Sequence, residues 1–584
     1  MIKRVGIVVA AVSLILVAVP AGKTQPAPPA SCGLTTIQGT LDYSGFEEGL
    51  ALACGPGQPL VVRTKFLDAS KKRLKNRKVL ASFITIADVQ LADEESPLRA
   101  EWADKCEEHP ATAAFRPHET MVPHLTNAHI RAADAIAEKG SPVMKADFDF
   151  AIGLGDLADN NQYNEIRWII DLFDGDKMID PDTGDEGYDG VQSADPEGAP
   201  NAEADVVSPV EGTTMLELAN EPFWAVGLRA GGKSLPWYSL PGNHDIKIQG
   251  TAPNEAGWRD FASQYAVGGV KFTDVPPDKQ QEACQAGFSE EFFTEMATNP
   301  GAAEPVPADP DRRLLSREEW AQEHLTTTGV PEGHGYGGER CKDDAGELLE
   351  RLCYSWTEGD FHYIGLDTNP HEGLEDGNID DPQFQWLEKD LQAHSSTYYT
   401  AEGLRKKNPS GDDKLIVVFA HHPQQSMTNT STEGSHQAQD LKQLLLRFPN
   451  VIVMANGHTH QNRIWGRINK KAKTGYWEVN TSAIADFPSQ SRTVEIVKNG
   501  DGTLSIFAVV FDAAVAPDVR SMDWADDPTN EVDLGGAETA INEDWLASYG
   551  REVMLYDPQQ DLMKLGTPKD RNVELLLRAP RWFR

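Results

Sequence analysis

Residues 79–90 read VLASFITIADVQ, a run of apolar and β-branched side chains that stops abruptly at Asp88 and Gln90. Its length and its Ile, Val, Phe and Thr content predict a buried strand over Val79–Ala87 with polar groups just past its carboxyl end. The same grammar returns along the chain. Phe148–Leu154 precedes Asp156, Trp237–Leu240 precedes Asn243, Leu415–Ala420 precedes His421, and Val451–Met454 precedes His458. Amphipathic stretches between these runs predict helices over Val122–Glu138, Gln162–Phe173, Pro382–Ala393 and Gln437–Leu446. Strands alternating with helices make an α/β protein, in which ligand sites gather beyond the carboxyl ends of the strands. Clusters far apart in sequence are therefore free to converge on one site.

Working outward, Asp174–Gly232 and about 246–352 break the pattern and read as insertions over the strand ends. Within Gly475–Asp512, the runs Tyr476–Thr481, Thr493–Lys498 and Leu504–Phe511 predict strands that complete a second sheet. Residues 517–584 lose the pattern and read as an accessory segment, as do residues 22–78, where Leu60–Thr64 is strand-like and the basic run Lys71–Lys78 reads as a solvated face. At the start, Lys3 and Arg4 precede the apolar run Val5–Val19, and Val19-Pro20-Ala21 ends in a small residue. That is an export signal over 1–21, too short for a membrane span. A secreted or cell-envelope location follows, with no transmembrane segment in the mature chain. The six cysteines, Cys32, Cys54, Cys106, Cys284, Cys341 and Cys353, suit disulfides in such surroundings, with Cys32–Cys54 as one local bridge.

A chain of 584 residues with 40% hydrophobic and 24% charged residues can bury a substantial core, which excludes global disorder. Its formal charge of -37 repels long nucleic acids. A phosphorylated partner must therefore be small and met by local positive charge, and bound cations supply that.

The polar clusters are Asp88-Val89-Gln90, Gly155-Asp156, Gly242-Asn243-His244-Asp245, His421-His422-Pro423 and Gly457-His458-Thr459-His460. Hard oxygens and imidazoles presented from several strands are the donors that a pair of divalent ions needs to activate water and clamp a phosphoryl group. In this order, across roughly residues 79–516, the clusters resemble the calcineurin-like metallophosphoesterase superfamily, with its D-x-H, G-D, G-N-H-[D/E], H-x-P and G-H-x-H blocks. The export signal, the DVQLAD and HGYG stretches and Asp486–Arg492 resemble an exported bacterial subfamily with a D-x-Q first block.

The resemblance implies a four-layer α/β/β/α sandwich of two mixed sheets with flanking helices and large loop insertions. It implies that Asp88, Gln90 and His460 hold one ion, that Asp156 bridges, and that Asn243, His421 and His458 hold the second. A hydroxide shared by the ions would attack a phosphate mono- or diester or a nucleotide diphosphate, with His244 assisting the leaving group and Asp245 orienting His244. Gln90 stands where the family has His. Its amide oxygen favours manganese or iron over zinc, with zinc still admissible. Asn160 and His334 are candidate substrate contacts, and His422 reads as structural. A metallohydrolase acting on carbon–nitrogen or carbon–oxygen bonds would place its HxH early, whereas here it comes last. A non-catalytic surface binding protein on the same scaffold is the alternative function. No protein partner is inferable.

Overall fold

The computed structural model describes residues 31–44, 52–99, 116–184, 190, 219–272, 303–470, 474–517, 531–534, 537–540, 543–556 and 561–583. The export signal, Cys106 and Cys284 lie outside them. Strands of the two main sheets run in chain order as β1 (Val61–Arg63), β2 (Lys78–Ile86), β3 (Phe150–Gly153), β4 (Trp237–Ser239), β5 (Glu339–Arg340), β6 (Tyr354–Glu358), β7 (Phe361–Leu366), β8 (Leu415–Ala420), β9 (Val451–Asn456), β10 (Arg463–Asn469), β11 (Thr474–Asn480), β12 (Gln490–Lys498), β13 (Thr503–Asp512) and β14 (Val573–Arg578). One seven-stranded sheet has the order β4-β3-β2-β12-β13-β14-β1, the other β5-β6-β7-β8-β9-β11-β10. Both are mixed. Strands β2, β3 and β4 are parallel in the first sheet, as are β7, β8, β9 and β11 in the second.

Alternation along β8 shows why two sheets stack. Leu415, Val417 and Phe419 join the core between the sheets, while Ile416, Val418 and Ala420 face outward with Leu387, Leu391, Leu441 and Leu444 from helices α4 (Asp381–Ala393) and α5 (Ala438–Leu446). Phe83 of β2 and Phe150 of β3 pack edge-on against Phe419, at ring-centroid distances of 5.6 and 6.2 Å. Across the outer face of the first sheet lies α1 (Val122–Lys139), where His129 meets Ser491 of β12. The fold is α/β, with helix, sheet, sheet and helix in layers.

Helix α1 and the later α2 (Tyr163–Asp174), α4 and α5 fall within a residue or two of their predicted spans. The predicted second-sheet trio divides instead. Strand β11 stays in the second sheet, whereas β12 and β13 cross to the first, so the connecting turn 481–489 passes over the strand ends. Within the tail 517–584, β14 is an interior strand of the first sheet, antiparallel to β13 and parallel to β1. The basic run is partly engaged rather than solvated. Arg73 (3.0 Å) and Arg77 both pair with Glu574 on β14. Disulfides Cys32–Cys54 and Cys341–Cys353 close two local loops. No helix among the described residues is long and apolar enough to cross a membrane.

Candidate metal centre

The carboxyl ends of β2, β3, β4, β8 and β9 point the same way, and the residues just past them meet. Sharp local turns make this possible. Asp88, Gln90, Asp156, His458 and His460 all take left-handed backbone angles, with φ between 45° and 69°. Such angles are uncommon for non-glycine residues and cost of order 1–3 kcal/mol each, so their concentration here marks a site held by its surroundings. Two glycines permit the close approach. A Cβ on Gly242 would fall 2.0 Å from Asp156 Oδ1, and one on Gly457 would fall 2.4 Å from Asp88 Oδ2.

Around Asn243 the donors converge. Its Oδ1 lies 3.0 Å from His421 Nε2 and 3.1 Å from His458 Nδ1, and His421 Nε2 is 3.1 Å from Asp156 Oδ2. His421 Nδ1 already donates to Leu154 O at 2.9 Å. Hydrogen bonding alone would therefore require a second proton on His421, making it an imidazolium. Burial opposes that charge, but Asp156 and Asp88 outweigh it and hold His421 at about 9. His458 is driven the other way, well below its ordinary value, by burial and by its neighbours His422 and His421. The cluster needs one positive charge among lone pairs about 3 Å apart, the edge length of a coordination shell with bonds of roughly 2.1 Å. A divalent ion fits this donor set.

Around Gln90 the arrangement differs. His460 Nε2 stands 3.4 Å from Asp88 Oδ1, while its Nδ1 is engaged by Asp486. Gln90 Oε1 accepts from Arg116 Nη2 at 2.6 Å. Arg116 also donates from Nε to Asp486 Oδ1 at 2.8 Å, and Lys564 Nζ reaches Asp486 Oδ2 at 3.2 Å. Asp88 accepts the His458 N–H on both oxygens, at 2.9 and 3.0 Å.

His244 belongs to neither group. It sits on the short helix α3 (Asn243–Ile246), placed in chain order between α2 and α4, with its N–H on Asp156 Oδ1 at 2.8 Å. Its Nδ1 is 2.7 Å from Asp159 O and 3.2 Å from Asp159 Oδ1. Although burial lowers its affinity for a proton, the Asp156 and Asp159 carboxylates raise His244 to about 9. Asp245 does not orient it. The Asp245 carboxylate accepts from Gly242 N (2.7 Å), Leu157 N (3.1 Å) and Ala158 N (3.0 Å), tying the Gly242 turn to the Asp156 turn.

Asp159, Arg116 and Asp486 were not legible as site residues. Asp159 stands three positions after Asp156, and Asp486 opens the Asp486–Arg492 stretch, but neither position by itself marks a site residue. Both ring nitrogens of His422 are engaged, Nε2 with Glu375 O (2.8 Å) and Nδ1 with Thr368 Oγ1 (2.7 Å), while its ring stands with those of His421 and His458. Asn160 follows Asp159 in the chain, its Oδ1 accepting from Gln249 N at 2.8 Å and its buried Nδ2 without a hydrogen-bond partner among the described residues. His334 is not brought to the site. It is fully buried, stacked on Trp237 at 3.5 Å, and bonded to Thr327 Oγ1 (2.7 Å) and Trp237 O (3.1 Å). A cavity of about 550 Å³ opens beyond α3 among Lys247, Arg259, Arg317 and Glu318, and none of the converging donors lines it.

No protein-family model matches the chain, and no curated protein matches it. Among solved structures, a dimetal phosphatase from Danio rerio is similar over 75% of this chain and 100% of its own, at 11% identity and a TM-score of 0.31. The sulfate thiohydrolase SoxB of Thermus thermophilus, solved with glycerol, is similar over 74% of this chain and 57% of its own, at 10% identity and a TM-score of 0.26. GAP50, the anchor in the inner membrane complex of Plasmodium, is similar over 82% of this chain and 96% of its own, at 10% identity and a TM-score of 0.25.

Proposed function

We propose that the chain is an exported, metal-dependent hydrolase of small phosphate esters, of the calcineurin-like metallophosphoesterase kind that its motif order resembles. The observation that carries this reading is the convergence of Asp156 Oδ2, Asn243 Oδ1, His421 Nε2 and His458 Nδ1, at 3.0 to 3.1 Å along its measured edges, on a point that needs positive charge. Those four residues would hold one ion, and Asp88, Gln90 and His460 are the remaining donors beside the shared Asp156. When bound, divalent ions there supply an activated water and charge neutralisation for the phosphoryl oxygens.

The chain's own groups do the rest. His244 keeps Nδ1 turned to Asp159, which leaves Nε2 to carry a proton to the departing oxygen. Asp159 positions His244 and is itself held by Arg99 and by Arg116, the latter at 3.6 Å. Asn160 Nδ2 is a buried donor available to a phosphoryl oxygen. The two disulfides suit the oxidising surroundings that an exported chain meets.

The test is hydrolysis by chelator-stripped protein reloaded with manganese, iron(II) or zinc, against an aryl monophosphate, an aryl phosphodiester and a nucleotide diphosphate. Metal-dependent turnover of at least one class is expected. Inactivity toward all of them with every metal would leave the non-catalytic alternative in possession.

A further inference from the structure

The Gln90 side of the pocket carries a feature that the motif order does not foretell, and the inference drawn from it rests on the phosphoesterase reading above. We propose that the Arg116 guanidinium stands in for a metal ion at this subsite, so that the chain binds a single divalent ion tightly, on Asp156, Asn243, His421 and His458. Arg116 is buried, 1% exposed, and spends Nη2 on the one oxygen that Gln90 could give a metal. An ion bonded to that oxygen at about 2.0–2.2 Å would lie less than about 5 Å from the guanidinium nitrogen, putting a double and a single positive charge side by side in a dry site.

Arg116 cannot readily move away. Its Nε is fixed by Asp486 at 2.8 Å, its backbone N–H by Glu119 Oε2 at 3.1 Å, and Asp159 faces its Nη1 at 3.6 Å. Arg99 binds Glu119 and Asp159, and Lys564 and Arg116 share Asp486. Asp88 and Asp156 stand with His421 on the other side of the pocket. Substitution of the family's His by Gln90 belongs to the same change. The Gln90 amide oxygen accepts the guanidinium N–H and, unlike an imidazole, cannot itself become a cation beside it.

The experiment titrates the chelator-stripped full-length chain with manganese(II), reading the free ion and the electron paramagnetic resonance spectrum, with wild type, Arg116→Ala and Arg116→Lys in parallel. In the wild type, one equivalent should bind with a mononuclear six-line signal, and a second should bind about 100-fold more weakly. Removing the guanidinium in Arg116→Ala should tighten the second equivalent by about 10- to 100-fold and produce a spin-coupled signal, while Arg116→Lys should keep it weak. Two equivalents of similar affinity with a coupled signal in the wild type would overturn the inference and leave the phosphoesterase reading standing. So would an Arg116→Ala chain with unchanged stoichiometry. A wild type that holds no ion would remove both. The wild-type measurement decides the matter alone should Arg116→Ala fail to fold.

Discussion

At the Asn243 half of the pocket, imidazole nitrogens and amide and carboxylate oxygens close on one point and, among the described residues, no arginine or lysine bonds them, whereas at the Gln90 half an arginine, an aspartate and a lysine meet. Both halves hang from parallel strand ends, and both use left-handed turns to aim their side chains. The difference therefore lies not in the scaffold but in what the segments 116–121, 481–489 and 562–565 bring to it. A shared motif order thus fixes where donors stand without fixing how many ions they hold.

The comparison breaks most completely at Asp156, whose carboxylate lies within 4.8 Å of ligand atoms of both Asp88 and His421. Asp156→Asn should abolish metal uptake and hydrolysis together while the protein stays folded, read by metal content and turnover on the same sample. A folded, fully active Asp156→Asn chain would sink the site. The halves separate next. His421→Ala should lose the tightly held ion and lower turnover by more than about 10³, while His460→Ala should retain that ion and lose less; equal metal loss in both variants would erase the distinction.

His244 sharpens the contrast because it binds neither half. His244→Ala should keep its metal content and lose on the order of 10²–10⁴ in rate, with a smaller loss for substrates whose leaving groups need no proton. Loss of metal in step with rate would place His244 among the ligands instead. The smallest effect is expected at Gln90. With its Oε1 held by Arg116, Gln90→His should leave the order in which manganese, iron(II) and zinc reactivate the stripped chain unchanged. A shift of that order toward zinc would show that residue 90 reaches the metal.

What the sequence made legible was local. Each donor cluster follows its strand within a few residues, so the apolar run and the polar stop appear in one window, and Asp88, Asp156, Asn243, His421, His458 and His460 stand where that grammar puts them. Arg116 and Asp486 escaped because their partners lie far along the chain, Arg116 follows no strand of the pattern, and Asp486 stands six residues past the end of β11, further out than the donor clusters. Strand β14 escaped for a related reason. Its run VELLLR is short and isolated, and only pairing with β13 and β1 gives it a place. His334 misled because a glycine-rich HGYG stretch looks built for a ligand, when its left-handed His334 (φ 48°) serves to lay the ring on Trp237.

The seating of β14 bears on how the molecule is made. The first sheet takes one of its interior strands from residues 573–578, and one of its edge strands, residues 61–63, has that strand as its neighbour among the described residues. More than five hundred residues therefore separate two strands that must lie side by side, a contact whose closure is slow and late. During synthesis β1 waits unpaired until β14 emerges. That edge of the sheet can therefore close only when nearly all of the chain has been made.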